Sequence, residues 1–449
     1  RRLGRETADL DVVLDGDPAA AARAVARAGA RAACFALSEE FGSWRVVARD
    51  RSWQVDLEPM RGASLEEDLA LRDFTVNAIA EPLAGGEPID PLGGLADLRA
   101  RRLRMAGPGA FVEDPLRVLR MVRVAVELGF EVEPETRRAA ARSASLLGGV
   151  SAERIFTELR RILASQEALR GLELLSEIGA ATVVLPELEA LRGVEQNRFH
   201  HLDVHGHTLE VLERTIELTT PSELERDGAV AGAIAPHEGE VAALLAEPLA
   251  DDMSRGEALR WGALLHDAAK PLTRELHPGE RRVSFIGHDL RGAELARDLL
   301  TRLRSSERVR AHVAALVRHH LRLGFLVHES QPLARRTVFS YLRACSPVEV
   351  DVTLLSIADR LATRGDRAEE SIVAHLQVAR GMLGDALRWH HEGPPQPLLR
   401  GDELVRELPI VAGPALGQLL EALAAAQYAG ELTTREQALA EARELLENI

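Results

Sequence analysis

Aromatic side chains and cysteine are scarce in this 449-residue chain. Phe, Trp and Tyr make up 4% of the residues, and there are only two cysteines, Cys34 and Cys345. With so few aromatic rings, the core must be built mainly from Leu, Ala and Val. The two cysteines lie far apart and neither is in a Cys-x-x-Cys pattern, which disfavours a disulfide framework or a cysteine zinc site. We therefore expect a reducing compartment and a cytoplasmic protein.

Long apolar runs and lysine are also lacking. No run of about 18 apolar residues occurs, so the sequence predicts no membrane-spanning helix. There is no secretory signal pattern, and the chain starts with Arg-Arg-Leu-Gly rather than Met, from which we expect a missing N-terminal segment. Lys270 is the single lysine among 55 basic residues. The other positive charges are arginines, which indicates a coding bias.

The charge is negative overall but unevenly distributed. There are 70 acidic and 55 basic residues, for a net charge of −15, yet between Arg99 and Arg161 there are 13 arginines against eight acidic residues. A basic segment inside an acidic protein is typical of a localised phosphate-binding surface. A helix surface crossed by internal ion pairs explains it equally well.

The length predicts more than one domain. Up to about residue 100, apolar runs predict strands over residues 10–14, 43–47 and 53–57, and an Ala-rich pattern predicts a helix over 18–33. This is an α+β head with a small mixed or antiparallel sheet. From about residue 113 the pattern is helical, and we expect a mainly α protein.

Asp9 and Asp11 lie on the first predicted strand. Side chains alternate along a strand, so the two carboxylates point the same way, about 7 Å apart. They could share one or two Mg²⁺ ions, which prefer oxygen ligands and nucleotide phosphates. Asp56 lies on a neighbouring predicted strand and is a candidate third carboxylate. Alone, such a pattern is weak, because turns and solvated faces produce it often.

Four segments in order make the pattern specific. They are residues 3–11, which include Leu3-Gly4-Arg5 and Asp9-Leu10-Asp11, then residues 67–78 (EDLALRDFTVNA), 90–98 (DPLGGLADL) and 113–120 (EDPLRVLR). Together they resemble the class II CCA-adding enzyme and bacterial poly(A) polymerase family. The resemblance implies a template-independent nucleotidyltransferase that uses Mg²⁺ to add CMP and AMP, from CTP and ATP, to the 3′ end of tRNA. Poly(A) addition to RNA 3′ ends is the alternative.

The resemblance also implies roles for single residues. Asp9, Asp11 and Asp56 would be catalytic, and the ribose and phosphates would be bound by Arg72, Asp73 and Asn77. The expected neck helix carries Asp114 and Arg117, which at this spacing would share one helical face and hydrogen-bond the edge of the incoming base. Arg120 would suit the triphosphate. In isolation, a helix-start ion pair and a capping Asn would explain residues 72–77 as well.

Two features depart from the family. Its glycine-rich GGxVRD segment upstream of the metal carboxylates is missing, which we interpret as a truncation of the head. The family also tends to have two arginines before the motif Asp, whereas Leu71 occupies the first position here. Both departures bear on nucleotide binding.

A second series of histidines and aspartates follows. It consists of His207, His266-Asp267, His288, His319-His320 and Asp359. This order resembles the HD-domain metal phosphohydrolases. By that resemblance, one metal would be held by His207, His266, Asp267 and Asp359, and a second by His288 with His319 or His320. Such ligands suit Mn, Ni, Fe, Co or Zn. Lys270 would either pair with a substrate phosphate or be solvated on a helix surface.

The predicted plan therefore has five parts. They are a nucleotidyltransferase head over 1–100, a neck for base recognition and RNA binding over 101–165, a helical connector over 166–199, an HD domain over 200–390 and a helical tail over 391–449. Two other hypotheses remain open. One is an HD phosphohydrolase whose head only binds RNA, and the other is a helical RNA-binding scaffold with both sites silent.

Overall fold

The computed structural model describes residue 4 and residues 8–29, 32–39, 41–220, 228–235, 237–277 and 282–447. Of the motif segment at residues 3–5, Gly4 alone is among them. The chain divides into two compact units. The first consists of Arg1–Gly149 with Glu177–Ala180, and the second of Val150–Ser176 with Ala181–Ile449.

The first unit begins with strands and continues with short helices. Its elements are β1 (Asp9–Leu14), α1 (Pro18–Ala28), β2 (Ala33–Ser38), β3 (Ser43–Val47), β4 (Gln54–Pro59), α2 (Leu65–Ala70), a 3₁₀ turn (Thr75–Asn77), α3 (Gly94–Arg99), β5 (Arg102–Leu103), α4 (Ala110–Glu113), α5 (Arg117–Leu128), β6 (Glu131–Val132), α6 (Pro134–Ser143) and a 3₁₀ segment (Ala144–Gly149).

The head sheet has the strand order β1-β4-β3-β2. β1 pairs with β4 in parallel, while β3 is antiparallel to both β4 and β2, so the sheet is mixed. One face packs on α1 through a small core around Ala22, Val46 and Leu57. Because strand side chains alternate, the polar residues of β1 and β4 lie on the opposite face. The α+β head predicted from the sequence is confirmed.

One predicted boundary in the head is wrong, and one strand was not predicted. The helix predicted over residues 18–33 ends at Ala28, where the Gly29 amide closes the last turn on the Val25 carbonyl at 2.8 Å. Residues Ala33–Ser38 instead form β2, an edge strand that leaves Phe35 and Leu37 nearly half exposed. The Ala-rich composition up to residue 33 favours helix locally, and pairing with β3 overrides it.

The neck helix also starts later than predicted. Asp114 has an extended backbone between α4 and α5, and α5 begins at Arg117. Pro115 explains the break, because a residue before proline is disfavoured in the helical region. Asp114 and Arg117 therefore do not share a helical face. The predicted end of this helix at Gly129 is confirmed, since Gly129 caps α5 with a φ of 66°.

The second unit is helical apart from two small hairpins. Its elements are α7 (Ala152–Ala164), α8 (Ala168–Glu177), α9 (Ala181–Val184), α10 (Pro186–Glu189), α11 (Val204–Thr219), α12 (Gly228–Ile234), α13 (Glu238–Leu245), β7 (Pro248–Ala250), β8 (Met253–Ser254), α14 (Arg255–Leu265), α15 (Lys270–Thr273), β9 (Glu275–His277), β10 (Arg282–Ser284), α16 (His288–Arg302), α17 (Glu307–His319), α18 (Arg322–Leu326), α19 (Arg335–Cys345), α20 (Glu349–Ala362), α21 (Ala368–Glu392), α22 (Gly401–Glu407), α23 (Pro414–Tyr428) and α24 (Arg435–Glu447).

Helix α14 lies at the centre of the second unit. It contacts α7, α11, α17 and α20. A capping box formed by Ser254 and Glu257 fixes its start. Close packing on α17 needs Gly262, since a Cβ there would lie 2.7 Å from Leu316 Cδ1. The helix ends directly before His266 and Asp267, so both residues emerge inside the core.

Two remaining expectations concern the whole chain. The described residues are mainly helical, as predicted, and none of their helices is long and apolar enough to cross a membrane. Cys34 and Cys345 are free thiols, and burial raises the pKa of Cys345 to about 12, which keeps that thiol protonated.

Candidate functional sites

The polar face of the head sheet carries a row of acidic side chains, Asp9, Asp11, Asp56 and Glu58, hereafter the carboxylate row. The parallel register sets Asp11 beside Asp56 and Val13 beside Glu58. Partial burial, followed by the charges of Asp56 and Glu58, raises the pKa of Asp11. Negative charge is thus concentrated here, and carboxylate oxygens are the ligands that suit Mg²⁺.

Two arginines flank the carboxylate row. Arg45, opposite Asp56 on β3, donates from Nε and Nη2 to the two Asp56 oxygens, each at 2.6 Å. Arg72 lies 3.0 Å from Asp68 and 3.6 Å from Glu58. Its positive charge partly offsets the rise in the pKa of Asp11. Sequence reasoning missed Arg45, because its partner is 11 residues away and the hairpin register alone brings them together.

Residues 71–73 connect this row with the neck. The Leu71 carbonyl accepts a hydrogen bond from Arg117 Nη2 at 2.9 Å, while the Arg72 side chain extends to Glu58. Asp73 accepts from the Asn77 amide at 3.0 Å and lies 3.4 Å from Arg120 Nη1. Asn77 therefore binds Asp73 instead of capping a helix. The predicted ribose and triphosphate residues Asp73, Asn77 and Arg120 lie together.

The predicted base-recognising pair is held mainly by the backbone. Besides Leu71, Arg117 also contacts the Ala110 carbonyl at 3.3 Å and lies 3.6 Å from Glu113. Asp114 accepts from the Leu116 amide at 3.2 Å. Two backbone carbonyls hold the Arg117 guanidinium in place, so its position is preorganised.

Many arginines of the basic segment between Arg99 and Arg161 take part in ion pairs. Arg102 and Arg104 bind the buried Asp97, which also accepts from Thr75. Arg138 and Arg142 share Glu135. Ion pairing thus accounts for part of the segment, and guanidinium groups such as that of Arg138, whose side chain is 63% exposed, remain accessible from solvent.

The second unit gathers the HD residues into one cluster. The histidine cluster comprises His207, His266, Asp267, His288, His320 and Asp359. Asp267 is its centre: its carboxylate lies 3.2 Å from His266 Nε2, 3.3 Å from His288 Nε2 and 3.6 Å from His207 Nε2. His207 Nε2 also lies 3.1 Å from Asp359. Helices α11, α14, α16, α17 and α20 supply or adjoin these residues.

Backbone carbonyls orient three of the imidazoles. The Nδ1 atoms of His266, His288 and His320 lie 2.7–2.8 Å from the carbonyls of Ala263, Phe285 and Val317. Each Nδ1 therefore carries the proton, and each Nε2 lone pair faces the cluster. These three Nε2 atoms are buried and make no hydrogen bond. Buried polar atoms are normally satisfied, so this arrangement fits a metal centre.

His319 and His320, at the end of α17, have different surroundings. His320 belongs to the cluster, where burial and the nearby His266 and His288 lower its pKa to about 4. His319 faces elsewhere and accepts a hydrogen bond from Arg322 Nε at 2.9 Å. Ligand atoms of His207, His266 and Asp267 lie within 4.8 Å of one another, and so do those of Asp267, His288 and His320. Asp267 is common to both groups.

The predicted carboxylates of the head are less tightly gathered. Among the described residues, both groups of three ligand atoms that lie within 4.8 Å are those of the histidine cluster. Asp9, Asp11 and Asp56 share a sheet face but form no such group. The two oxygens of Asp56 are occupied by Arg45.

Lys270 and His200 complete the surroundings of the histidine cluster. Lys270 is 6% exposed, and its Nζ lies 2.6 Å from both Asp267 Oδ2 and Gln196 Oε1. Lys270 is therefore not solvated on a helix surface, and that predicted alternative is wrong. His200 contacts His207 ring to ring at 4.9 Å, and burial lowers the pKa of His200 to about 3. Sequence reasoning did not assign His200, although its place beside a histidine-rich motif was a signal.

Three family models match the chain. The model described as the Poly A polymerase head domain matches residues 1–104. One described as the probable RNA and SrmB-binding site of polymerase A matches residues 129–191, and the HD domain model matches residues 239–364.

Curated relatives are similar over nearly the whole chain. The A-adding tRNA nucleotidyltransferase of Deinococcus radiodurans is 38% identical, covering 97% of this chain and 91% of the relative. The CC-adding tRNA nucleotidyltransferase of Thermus thermophilus is 34% identical, covering 98% and 89%. The Multifunctional CCA protein of Xanthomonas campestris is 33% identical, covering 88% and 82%.

Solved structures share the fold. The Thermotoga maritima CCA-adding enzyme complexed with tRNA_CCA superposes with a TM-score of 0.59 at 17% identity, covering 99% of this chain and 88% of that one. A CCA-adding enzyme in complex with ATP superposes with a TM-score of 0.62 at 17% identity, with the same coverage.

Proposed function

Because this chain belongs to the family of CCA-adding tRNA nucleotidyltransferases, with a poly(A) polymerase-type head and an HD domain, we propose that it transfers CMP or AMP from CTP or ATP to the 3′ end of tRNA. The observation that carries the proposal is the register of Asp11 beside Asp56 on the polar face of the head sheet. Incorporation of labelled CTP and ATP into tRNA lacking its CCA end tests it.

Asp9 and Asp11 would hold Mg²⁺ in this reaction, with Asp56 as a third carboxylate. When bound, the ion would lower the pKa of the primer 3′-hydroxyl and neutralise charge on the triphosphate. The chain's own residues position the nucleotide. Arg120 would donate to the phosphates, while Asp73 and Asn77 would bind the ribose hydroxyls from their shared hydrogen bond.

The incoming base would be recognised by Asp114 and Arg117. Their side chains offer an acceptor and donors, which suit the hydrogen-bonding edges of cytosine and adenine. Arg117 is already fixed by the carbonyls of Leu71 and Ala110. The helical face that the sequence predicted for the pair is replaced by a turn in which the Arg117 amide donates to the Asp114 carbonyl at 3.0 Å.

The number and kind of nucleotides added define the remaining alternatives. The relatives are named as A-adding, CC-adding and multifunctional CCA proteins, so the options are addition of A, of CC or of the complete CCA. Poly(A) addition to RNA is the further alternative. Three tRNA primers distinguish them: one without CCA, one ending in C and one ending in CC. Products resolved nucleotide by nucleotide identify the reaction.

The histidine cluster supports a second function, hydrolysis of a phosphoester or a 2′,3′-cyclic phosphate. His207, His266, Asp267 and Asp359 would hold one transition metal, and His288 with His320 a second. Bound metal would supply a water of lowered pKa. The supporting observation is the three buried, unbonded Nε2 atoms. Conversion of 2′,3′-cyclic AMP to 2′-AMP or 3′-AMP, abolished by His266→Ala, tests it.

We propose the same division of labour along the chain as the sequence predicts. The head over 1–100 and the neck over 101–165 would carry the transferase, a connector over 166–199 would lead to the HD domain over 200–390, and the tail over 391–449 would follow. If metal never binds the histidine cluster, a scaffold role replaces hydrolysis. A cytoplasmic location stays a prediction.

A further inference from the structure

Both oxygens of the Asp56 carboxylate are hydrogen-bonded to Arg45, so a metal ion bound at Asp56 would lie close to a second positive charge. The carboxylate accepts Arg45 Nε on one oxygen and Arg45 Nη2 on the other, both at 2.6 Å. Arg45 and Asp56 are 28% and 15% exposed, so the pair is partly shielded from water. Bidentate Arg–carboxylate pairs of this kind are the stronger class of charged hydrogen bond.

The strand register fixes Arg45 in this position. Asp11, Asp56 and Arg45 occupy matching places on three adjacent strands and therefore face the same side of the sheet. Arg45 is hydrogen-bonded to Asp56, and the charges of Asp9 and Asp11 also act on its guanidinium. The guanidinium thus experiences the whole carboxylate row and not one partner alone.

We propose that Arg45 is a built-in counter-cation that competes with the divalent metal for the carboxylate row. While Arg45 holds both Asp56 oxygens, Asp9, Asp11 and Asp56 form no three-carboxylate ligand group among the described residues. A metal ion that used Asp56 as a ligand would compete with Arg45 for at least one of these oxygens. Arg45 is therefore a positioning residue that sets metal affinity. Without metal, its positive charge reduces the repulsion between the carboxylates of the carboxylate row.

This proposal rests on the assignment of Asp9 and Asp11 as metal ligands. The two claims can be separated by titrating Mn²⁺ into the full chain and following free Mn²⁺ by electron paramagnetic resonance. Because the histidine cluster would also take up Mn²⁺ if it is a metal site, the head site is defined as the binding lost in the double variant Asp9→Asn/Asp11→Asn. If that variant binds as the parent does, the metal assignment itself is wrong.

Arg45→Met should bind Mn²⁺ at the head site roughly three- to tenfold more tightly, the size expected for losing a partly shielded bidentate competitor. Arg45→Lys keeps the charge but loses the bidentate guanidinium contact. Its Mn²⁺ affinity should therefore lie between those of the parent and Arg45→Met. Arg23→Met is the matched control. Arg23 lies over the Trp44 ring on the apolar face of the same sheet, and its loss should leave affinity unchanged.

A second readout is stability in EDTA. Arg45→Met should melt below the parent without metal, and Mn²⁺ should restore more of the difference than it does for Arg23→Met. Unchanged or weaker Mn²⁺ binding in Arg45→Met, in a protein whose circular dichroism matches the parent, would overturn the proposal. An equal gain in Arg45→Met and Arg23→Met would also overturn it, because net charge would then explain the effect.

Discussion

Lys270 Nζ lies 2.6 Å from Asp267 Oδ2, so the single lysine of the chain is the counter-ion of the carboxylate at the centre of the histidine cluster. Both side chains are less than 10% exposed. A buried charge that loses its partner is strongly destabilising. The ammonium group thus neutralises Asp267 in the place where a metal ion would otherwise do so.

Lys270→Met should therefore destabilise the metal-free protein by about 3 kcal/mol, because the buried Asp267 carboxylate loses its ammonium partner. With Mn²⁺ present the loss should be smaller, since the ion takes over the neutralisation. Urea unfolding in EDTA and in Mn²⁺ measures both values. Arg214→Met, which removes a cation that pairs with Glu217 on α11, should show the same loss in both conditions. A loss for Lys270→Met that does not depend on metal would contradict this role.

The two neighbouring histidines of α17 should behave differently. His320→Ala removes a buried Nε2 of the cluster and should lower affinity for Mn²⁺ or Ni²⁺ by at least about tenfold. His319→Ala, the matched control, removes a side chain that hydrogen-bonds Arg322 outside the cluster, and should retain metal. Metal content after dialysis, measured by elemental analysis, decides. Equal loss in both variants would remove His320 from the proposed ligands.

Arg120 should matter for the nucleotide more than for tRNA. Its guanidinium lies 3.4 Å from Asp73 and is 45% exposed, so it is available to a triphosphate. Arg120→Gln should raise the KM for ATP or CTP about tenfold, the cost of losing a hydrogen bond to a charged group. Arg138→Gln, which removes an exposed arginine paired with Glu135, should not. A changed tRNA affinity with an unchanged nucleotide KM would place Arg120 on the RNA side.

Glu349 predicts a pH dependence of stability. It is 1% exposed, and burial raises its pKa to about 7, although Arg255 lowers it. The folded state therefore binds the proton more tightly than the unfolded state. The stability contributed is complete below the unfolded pKa, near 4.5, and is lost as pH rises through about 7.

Glu349→Gln removes this titration. At pH 8 the variant should be about 2 kcal/mol more stable than the parent, and at pH 4 the gain should vanish. Glu247→Gln is the control, because Glu247 lies 3.7 Å from the same Arg255 but is 48% exposed. Thermal unfolding across pH 4–8 tests this. A parallel shift of the Glu349→Gln curve at all pH values would mean that the carboxyl does not titrate in this range.

The sequence predicts what depends on local pattern. A short apolar run predicts β1, and glycine at position 129 predicts the end of α5. The sequence does not predict the edge strand β2, because the Ala-rich segment before it favours helix. Pairing with β3 is what makes these residues a strand. The spacing between Asp114 and Arg117 predicts a shared helical face, but Pro115 lies between them and the helix begins only at Arg117.

Candidate site residues follow the same division. Family motifs identified the histidine cluster and the carboxylate row, but not the cations that neutralise them. Lys270 was noted for its rarity, yet its contact with Asp267 depends on how α14 ends in the core. The Arg45–Asp56 pair depends on the register of two strands, which no single-residue pattern encodes.

The central claim is that Asp9 and Asp11 hold the metal of a tRNA nucleotidyltransferase. The direct measurement is incorporation of labelled CTP and ATP into tRNA lacking CCA. Asp11→Asn should lower incorporation by at least about a hundredfold, whereas Asp15→Asn, just beyond the end of β1, should leave it within about twofold of the parent. Undiminished incorporation by Asp11→Asn would contradict the account.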